Sequence, residues 1–127
     1  MKTILVDGIS GLIHKDGTLF KEMYELLEQY PNPKLVLTGA NDYQWKEFNL
    51  GISPYEVFTL KHDPEKTDPA YFKILLAKYD LGRDDVVFFE HNEEAVKSAE
   101  SLGIKTYFYD DTQRDLVALK TFLDSSL

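Results

Sequence analysis

The sequence predicts a three-layer α/β domain, with a parallel β-sheet covered by helices on both faces. Two observations support this prediction. Short apolar runs rich in β-branched and aromatic residues alternate with amphipathic stretches at helical spacing along most of the chain. Such alternation is typical of parallel sheets joined by helical crossovers. The length of 127 residues suits one buried core, so residues 1–127 are expected to form a single domain.

The first predicted strand is an apolar run that ends in an acid. Residues 3–6 are mostly β-prone and apolar, and Asp7 follows them directly. Residues 11–20 are predicted as a β-hairpin, because Asp16 and Gly17 form a favoured two-residue turn between short apolar arms. Apolar residues then recur at helical spacing over residues 20–30, and a proline-rich segment ends that helix.

The middle of the chain repeats the alternation. Residues 34–39 form a buried type of strand that ends in a hydroxyl and a glycine, and a short helix is expected over residues 43–49. Residues 55–59 predict a third strand. The next helix begins at Asp68, an N-cap acceptor followed by proline at the first helical position, and continues to about Tyr79.

The last third contains the clearest strand pattern of the chain. Residues 85–89 are almost entirely apolar and aromatic, and Asn92 can cap the helix that follows them. Residues 104–108 predict the last strand, and an amphipathic helix is expected over residues 113–123. The chain shows no internal repeat or low-complexity tract.

Composition excludes several classes of function. The formal net charge of −8 argues against non-specific binding to nucleic acid or to an anionic membrane. The absence of cysteine excludes disulfides and thiolate chemistry. No apolar run reaches the length of a signal-peptide core or of a membrane span, so a cytoplasmic location is expected.

Polar side chains follow the predicted strands at one edge of the sheet. Asp7, Thr38 and Glu90 each stand at or just past the carboxyl end of a different strand, and Lys66 lies before a helix that starts from the same edge. Acids can hold a hard cation through oxygen, while a hydroxyl, backbone N–H groups and a lysine can bind a phosphoryl group. This set predicts a site for phosphate and Mg²⁺.

The same residues, in the same order, resemble the motifs of the haloacid dehalogenase-like (HAD) superfamily, whose typical members are magnesium-dependent phosphatases. Leu5–Ile9 matches the start of the first motif, an apolar strand followed by Asp-x-Asp, and Leu35–Gly39 matches the second. Lys66–Phe72 is similar to the third motif, and Val86–Ile104 to the fourth. The resemblance implies a Rossmann-like three-layer fold and covers nearly the whole chain.

The resemblance also implies roles for individual residues. Asp7 is expected to be the nucleophile that forms an aspartyl-phosphate, with Lys66 as the second catalytic residue. The phosphate-binding set implied is Gly8, Ile9, Thr38, Gly39 and Lys66. The implied magnesium ligands are Asp7, the backbone carbonyl of Ile9, and Glu90.

Two departures from the motifs bear on activity. The position of the usual general acid and base is Ile9, which can neither donate nor accept a proton. The second acid of the fourth motif is His91, which adds no negative charge and is interpreted, like His62, as a surface residue. His14, on the predicted hairpin, is an alternative proton donor.

These departures leave two functions open. One is a magnesium-dependent phosphatase that works without the usual general acid, and the other is a catalytically inactive relative that binds or regulates. A phospho-accepting receiver domain fits less well, because Asp7 lacks an adjacent acid. Lys61 is a rival to Lys66 for the lysine role.

The spacing of the motifs leaves no room for a cap domain. About thirty residues separate the first motif from the second, and a similar number the second from the third. An open site of this kind suits a phosphorylated small molecule or macromolecule, and a homo-oligomer could cover it.

Overall fold

The computed structural model describes residues 1–127 and is built on one parallel sheet of five strands. All neighbouring strands pair in parallel, in the order β3-β2-β1-β4-β5. The strands are β1 (Thr3–Asp7), β2 (Lys34–Thr38), β3 (Glu56–Thr59), β4 (Val86–Glu90) and β5 (Lys105–Phe108). β1 is central, so its carboxyl end lies between the carboxyl ends of β2 and β4.

Helices cover both faces of the sheet, as predicted. They are α1 (Lys21–Leu27), α2 (Asp42–Glu47), α3 (Pro69–Lys78), α4 (Glu93–Glu100) and α5 (Leu116–Ser126). Helices α1 and α5 pack on one face, and α3 and α4 pack on the other. No helix has the length and apolar character needed to span a bilayer.

The central strand shows why these apolar runs form a buried sheet. Ile4 and Val6 of β1 join the core beneath α1 and α5, whereas Leu5 joins the core beneath α3 and α4. Successive side chains of a strand point to opposite faces, so a strand buried on both faces has to be apolar throughout. This continuous apolar pattern agrees with the three layers that the alternation of strands and helices predicted.

Capping side chains fix the starts of the helices beside the sheet edge. Asp68 accepts from the Ala70 N–H at 2.9 Å before α3, and Asn92 accepts from the Glu94 N–H at 2.9 Å before α4. Both caps were predicted. The last helix begins later than predicted, because Asp115 is its N-cap and the residues from Asp110 onward form a separate turn.

The predicted β-hairpin at residues 11–20 is wrong. The structure has a single antiparallel bridge there, between Ile13 and Leu19, with a further parallel bridge between Ile9 and Ile13. Leu12 and Ile13 are both fully buried, although a hairpin arm would send consecutive side chains to opposite sides. The segment is therefore a loop folded onto the core beside the end of β1.

No cap domain interrupts the sheet. The connection from β1 to β2 contains the folded loop and α1, and the connection from β2 to β3 contains α2 and a short 3-10 turn over Leu50–Ile52. No inserted domain therefore covers the carboxyl edge of the sheet, as the motif spacing predicted.

Candidate functional site

Parallel pairing brings the polar strand ends together at one edge. Asp7 pairs in register with Leu37, and the residue after Leu37 is Thr38. Val6 pairs with Phe89, so Glu90 lies beside Asp7 at the end of β4. Asp7, Thr38 and Glu90 are all buried. Buried polar groups require partners, and those partners define the site.

Lys66 is the first partner of both acids. Its Nζ atom lies 2.7 Å from Glu90 Oε1 and 3.3 Å from Asp7 Oδ1, and only 15% of its side chain is exposed. The rival lysine, Lys61, instead forms an exposed ion pair with Asp42 at 3.1 Å. Charges taken out of water need close compensation, and Lys66 supplies it for two carboxylates at once.

His91 is the second partner, and its interpretation as a surface residue is wrong. Its main-chain N–H donates to Asp7 Oδ2 at 3.0 Å, and its imidazole Nδ1 hydrogen-bonds the same oxygen. Nδ1 also lies 3.3 Å from Glu90 Oε2. Ionised carboxylates only accept hydrogen bonds, so the network assigns a proton to Nδ1.

Proton affinities in this cluster follow from its burial and contacts. Hydrogen bonds to Asp7 and then to Glu90 raise the pKa of His91 to about 10. Burial opposes ionisation of Glu90, but Lys66 and hydrogen bonds from His91 hold its pKa at about 2. Burial, followed by the nearby charge of Glu90, raises the pKa of Asp7, while Lys66 opposes that rise.

The cluster has the spacing of a metal site, since ligand atoms of Asp7, Glu90 and His91 all lie within 4.8 Å of one another. However, all four carboxylate oxygens already accept hydrogen bonds or ion pairs from nitrogen. Lys66 occupies one oxygen of each acid, His91 occupies the second oxygen of Asp7, and the Asn92 N–H donates to the second oxygen of Glu90 at 3.0 Å. Mg²⁺ prefers six oxygen ligands, so this nitrogen-saturated set does not fit it.

A pocket of about 190 Å³ opens beside the cluster. No carboxylate lines it, and most of its wall can donate hydrogen bonds. The wall consists of Ile9, Ser10, Lys15, Thr38, Gly39, Ala40, Gln44, His62, Lys66 and His91. The main-chain N–H groups of Ile9 and Gly39 have no acceptor in the structure. The pocket is therefore rich in hydrogen-bond donors.

Three further residues that were considered for the site from the sequence do not offer a side chain or N–H group to the acids. The Gly8 N–H donates to the Leu37 carbonyl at 3.0 Å and is not free for a ligand. The Ile9 side chain packs against the core beneath α1 and α5. His14 stacks on Phe20, with ring centroids 4.9 Å apart, and lines a separate pocket, so it contacts neither acid.

Besides Ala40 and His91, sequence reasoning did not assign four residues of the pocket wall to the site. Gln44 comes from α2, and His62 comes from the polar loop before α3, where its ring contacts both Gln44 and Glu65. Ser10 and Lys15 come from the folded loop after β1. None of them stands at a strand end, which was the signal that found the others.

A curated relative and several solved structures are similar to this chain. Drimenol cyclase DrtB of Aspergillus calidoustus is 30% identical over 110 residues, covering 78% of this chain and 21% of that protein. The chain thus spans about a fifth of the length of this relative. No protein-family profile matches the chain.

Among solved structures, the core domain of a candidate phosphoglycolate phosphatase from Streptococcus pneumoniae has a TM-score of 0.64 at 15% identity, covering 98% of this chain and 96% of the other. An uncharacterised protein from Corynebacterium glutamicum has the same coverages, with a TM-score of 0.63 at 18% identity.

A HAD-family enzyme from Bacteroides thetaiotaomicron, crystallised as an Asp-to-Ala mutant with magnesium and inorganic phosphate, has a TM-score of 0.57 at 22% identity. That match covers 70% of this chain and 51% of the other. Together, these likenesses show that the chain has the HAD-like fold, and they confirm at the level of the fold the resemblance predicted from the motifs.

Proposed function

We propose that this chain binds the phosphate group of a phosphorylated ligand in the pocket beside Lys66, and that it does so without hydrolysing the ligand through Asp7. One observation supports the proposal above the others. On a chain of net charge −8, the pocket wall contains lysines and histidines but no carboxylate. Asp7 and Glu90 balance the charges of Lys66 and His91 from behind, but the groups that face the pocket are hydrogen-bond donors, and such a wall favours an anionic ligand.

The groups around the pocket suit a phosphate oxygen set. Lys66 offers a cationic donor, and Thr38 offers a hydroxyl that already accepts from the Ala40 N–H at 3.2 Å and so can direct its own proton outward. The unpaired N–H groups of Ile9 and Gly39 add two backbone donors. Charged and backbone donors of this kind are those that bind phosphate in proteins.

The geometry around Asp7 favours binding over covalent catalysis. Asp7 is fully buried and does not line the pocket, because Lys66 and His91 lie against its two oxygens. A nucleophile has to reach the phosphorus atom along an open path. The usual general acid is also replaced by Ile9, and the loss of such a group typically lowers a rate by about 10² to 10⁴.

A magnesium-dependent phosphomonoester hydrolase is the second candidate. It is favoured by the position of Lys66, which both lines the pocket and lies 3.3 Å from Asp7 Oδ1, so a single side chain separates a bound phosphate from this carboxylate. In that reaction Asp7 would attack phosphorus, the leaving oxygen would take a proton from water, and a second water would release phosphate.

The open edge leaves the remainder of the ligand unrestricted. The ligand is proposed to be a phosphorylated small molecule or macromolecule, because no cap domain closes over the pocket. A partner protein or a second copy of the chain could cover the edge.

The binding test is a titration of ¹⁵N-labelled protein with inorganic phosphate and with phenyl phosphate. We expect saturable shifts of the Ile9 and Gly39 amide signals in the wild-type chain. Lys66→Met should not show these phosphate-induced shifts. Lys61→Met is the matched control, because Lys61 is exposed and lies outside the pocket wall. Because Lys66→Met removes the partner of two buried carboxylates and so lowers stability, Thr38→Val serves as a second variant. Absence of saturable shifts in the wild-type chain would overturn the proposal.

Hydrolysis is tested separately with p-nitrophenyl phosphate and magnesium chloride. We expect the wild-type chain and Asp7→Asn to release p-nitrophenol at the same background rate. Release by the wild type that disappears in Asp7→Asn would instead establish the second candidate.

A further inference from the structure

We propose that the His91 side chain takes the place of a divalent cation between Asp7 and Glu90, so that phosphate binding at this edge is independent of metal. The part of this inference that concerns phosphate rests on the proposed function. The part that concerns the cation rests on the contacts of the two acids alone.

His91 lies where an ion shared by the two acids would lie. Its imidazole Nδ1 hydrogen-bonds Asp7 Oδ2 and lies 3.3 Å from Glu90 Oε2, so one ring nitrogen bridges the two carboxylates. The residue's main-chain N–H also donates to Asp7 Oδ2, at 3.0 Å. A cation shared by the two acids would need the same space and the same oxygen lone pairs. His91 therefore occupies the place of that ion.

The charges of the four clustered side chains balance without an ion. Two buried carboxylates face the ammonium of Lys66 and the protonated ring of His91, so two negative charges meet two positive ones without an ion. With an acid at position 91, three carboxylates would meet a single lysine. Buried negative charge in that excess requires a cation, whereas the present set is complete.

The other side of the His91 ring faces the pocket. His91 lines the pocket, whereas neither Asp7 nor Glu90 does. Its Nε2 atom has no hydrogen-bond partner in the structure. A protonated imidazole donates from both nitrogens, so Nε2 can donate to a phosphate oxygen while Nδ1 holds the acids. One side chain then performs both tasks of a bridging ion: it neutralises the acids and attracts the anion.

The first test is a titration with Mn²⁺ in which the electron paramagnetic resonance signal of the free ion measures how much ion remains unbound. The wild-type chain is expected to show no saturable site, and His91→Asp is expected to gain one. His62→Asp is the matched control, because it adds the same charge to the same pocket without contacting either acid, and it should bind no ion. A saturable site in the wild type that is lost in Glu90→Gln would overturn the inference.

The second test compares phosphate affinity in EDTA with that in saturating magnesium chloride. The wild-type dissociation constant is expected to agree within twofold between the two conditions, whereas His91→Asp should bind at least tenfold more weakly in EDTA. A tenfold gain of wild-type affinity on adding magnesium would overturn the inference. If phosphate binds under neither condition, the proposed function fails, while the Mn²⁺ titration of the wild type still decides the role of His91.

Discussion

The two sides of the sheet edge differ in what they present to the pocket. The side formed by β2 and the loop before α3 presents donors, namely Thr38, the Gly39 N–H and Lys66. The side formed by β1 and β4 contains both acids but turns them inward, beneath His91. On the proposed function the first side holds an anion, while the second adds the Ile9 N–H and the His91 ring but exposes no carboxylate that could attack it. On the proposed function, binding and turnover are separable within a single edge.

The difference has a simple physical basis. An anion site needs only fixed donors, which backbone N–H groups and one lysine supply at little cost. Phosphoryl transfer needs in addition an accessible nucleophile and a proton donor for the leaving group. Here Asp7 is buried and Ile9 stands at the position of the proton donor, so we propose that the chain meets the first requirement without the second. The following changes test that division.

Lys66→Ala should have the largest effect. It removes the ammonium that contacts both Asp7 and Glu90 and leaves two buried carboxylates with His91 alone. Removing one partner from a buried ionic network typically costs about 3–5 kcal/mol in the free energy of unfolding. Urea denaturation measures this loss. The control, Lys61→Ala, breaks an exposed pair and should cost less than about 1 kcal/mol. Equal losses would contradict the assignment of Lys66.

His91→Asn should lower stability by about 1–3 kcal/mol at neutral pH and remove a pH dependence, because the ring is a charged hydrogen-bond donor. In the folded chain the pKa of His91 is raised to about 10, against about 6.5 in an unfolded chain. Its stabilisation is therefore complete below about pH 6.5 and is lost as pH rises through about 10.

Unfolding free energies measured from pH 6 to pH 10 check this dependence. The wild-type value should fall across the interval, and that of His91→Asn should fall much less. His62→Asn, which leaves Asp7 and Glu90 untouched, should keep the wild-type slope. A wild-type slope that persists in His91→Asn would show that another group is responsible.

Thr38→Val should weaken phosphate binding by about tenfold, since one hydrogen bond to an anion is worth about 1.5 kcal/mol. The change keeps the shape of a buried side chain but removes the acceptor of the Ala40 N–H, so stability should also fall, by about 1–3 kcal/mol. Calorimetric titration with inorganic phosphate measures the loss. Thr59→Val is the comparison, because Thr59 donates to the Ala40 carbonyl and does not line the pocket. Unchanged affinity in Thr38→Val would place the phosphate elsewhere.

Ile9→Asp should have the smallest effect, within about threefold of background in the release of p-nitrophenol. A carboxyl at position 9 restores a proton donor but does not open a path to Asp7. A magnesium-dependent rise of a hundredfold would show that Ile9 alone disables an otherwise competent site.

Much of the fold could be predicted, because its causes are local or topological. The apolar strand of residues 3–6 is buried on both faces, and the capping residues Asp68 and Asn92 start their helices where the sequence indicates. Convergence of Asp7, Thr38 and Glu90 followed from parallel pairing alone. The turn at Asp16 and Gly17 does form, but burial of both Leu12 and Ile13 leaves one antiparallel bridge in place of the two predicted hairpin arms.

The site was predicted less completely, for reasons of side-chain geometry. His91 directly follows Glu90, but no pattern shows that its ring turns back to bridge two acids. His62 reaches the pocket from a loop in which both it and Lys61 have positive φ, at 66° and 55°. Such conformations are uncommon for residues other than glycine and are set by tertiary contacts, so sequence periodicity does not reveal them.

A crystal structure of the wild-type chain grown with inorganic phosphate and magnesium chloride tests the central claim most directly. The account predicts phosphate in the pocket, in contact with Lys66 and the Gly39 N–H, and the His91 ring still bridging Asp7 and Glu90 with no ion between them. A structure in which His91 has swung away and Mg²⁺ joins the two carboxylates to the phosphate would contradict it.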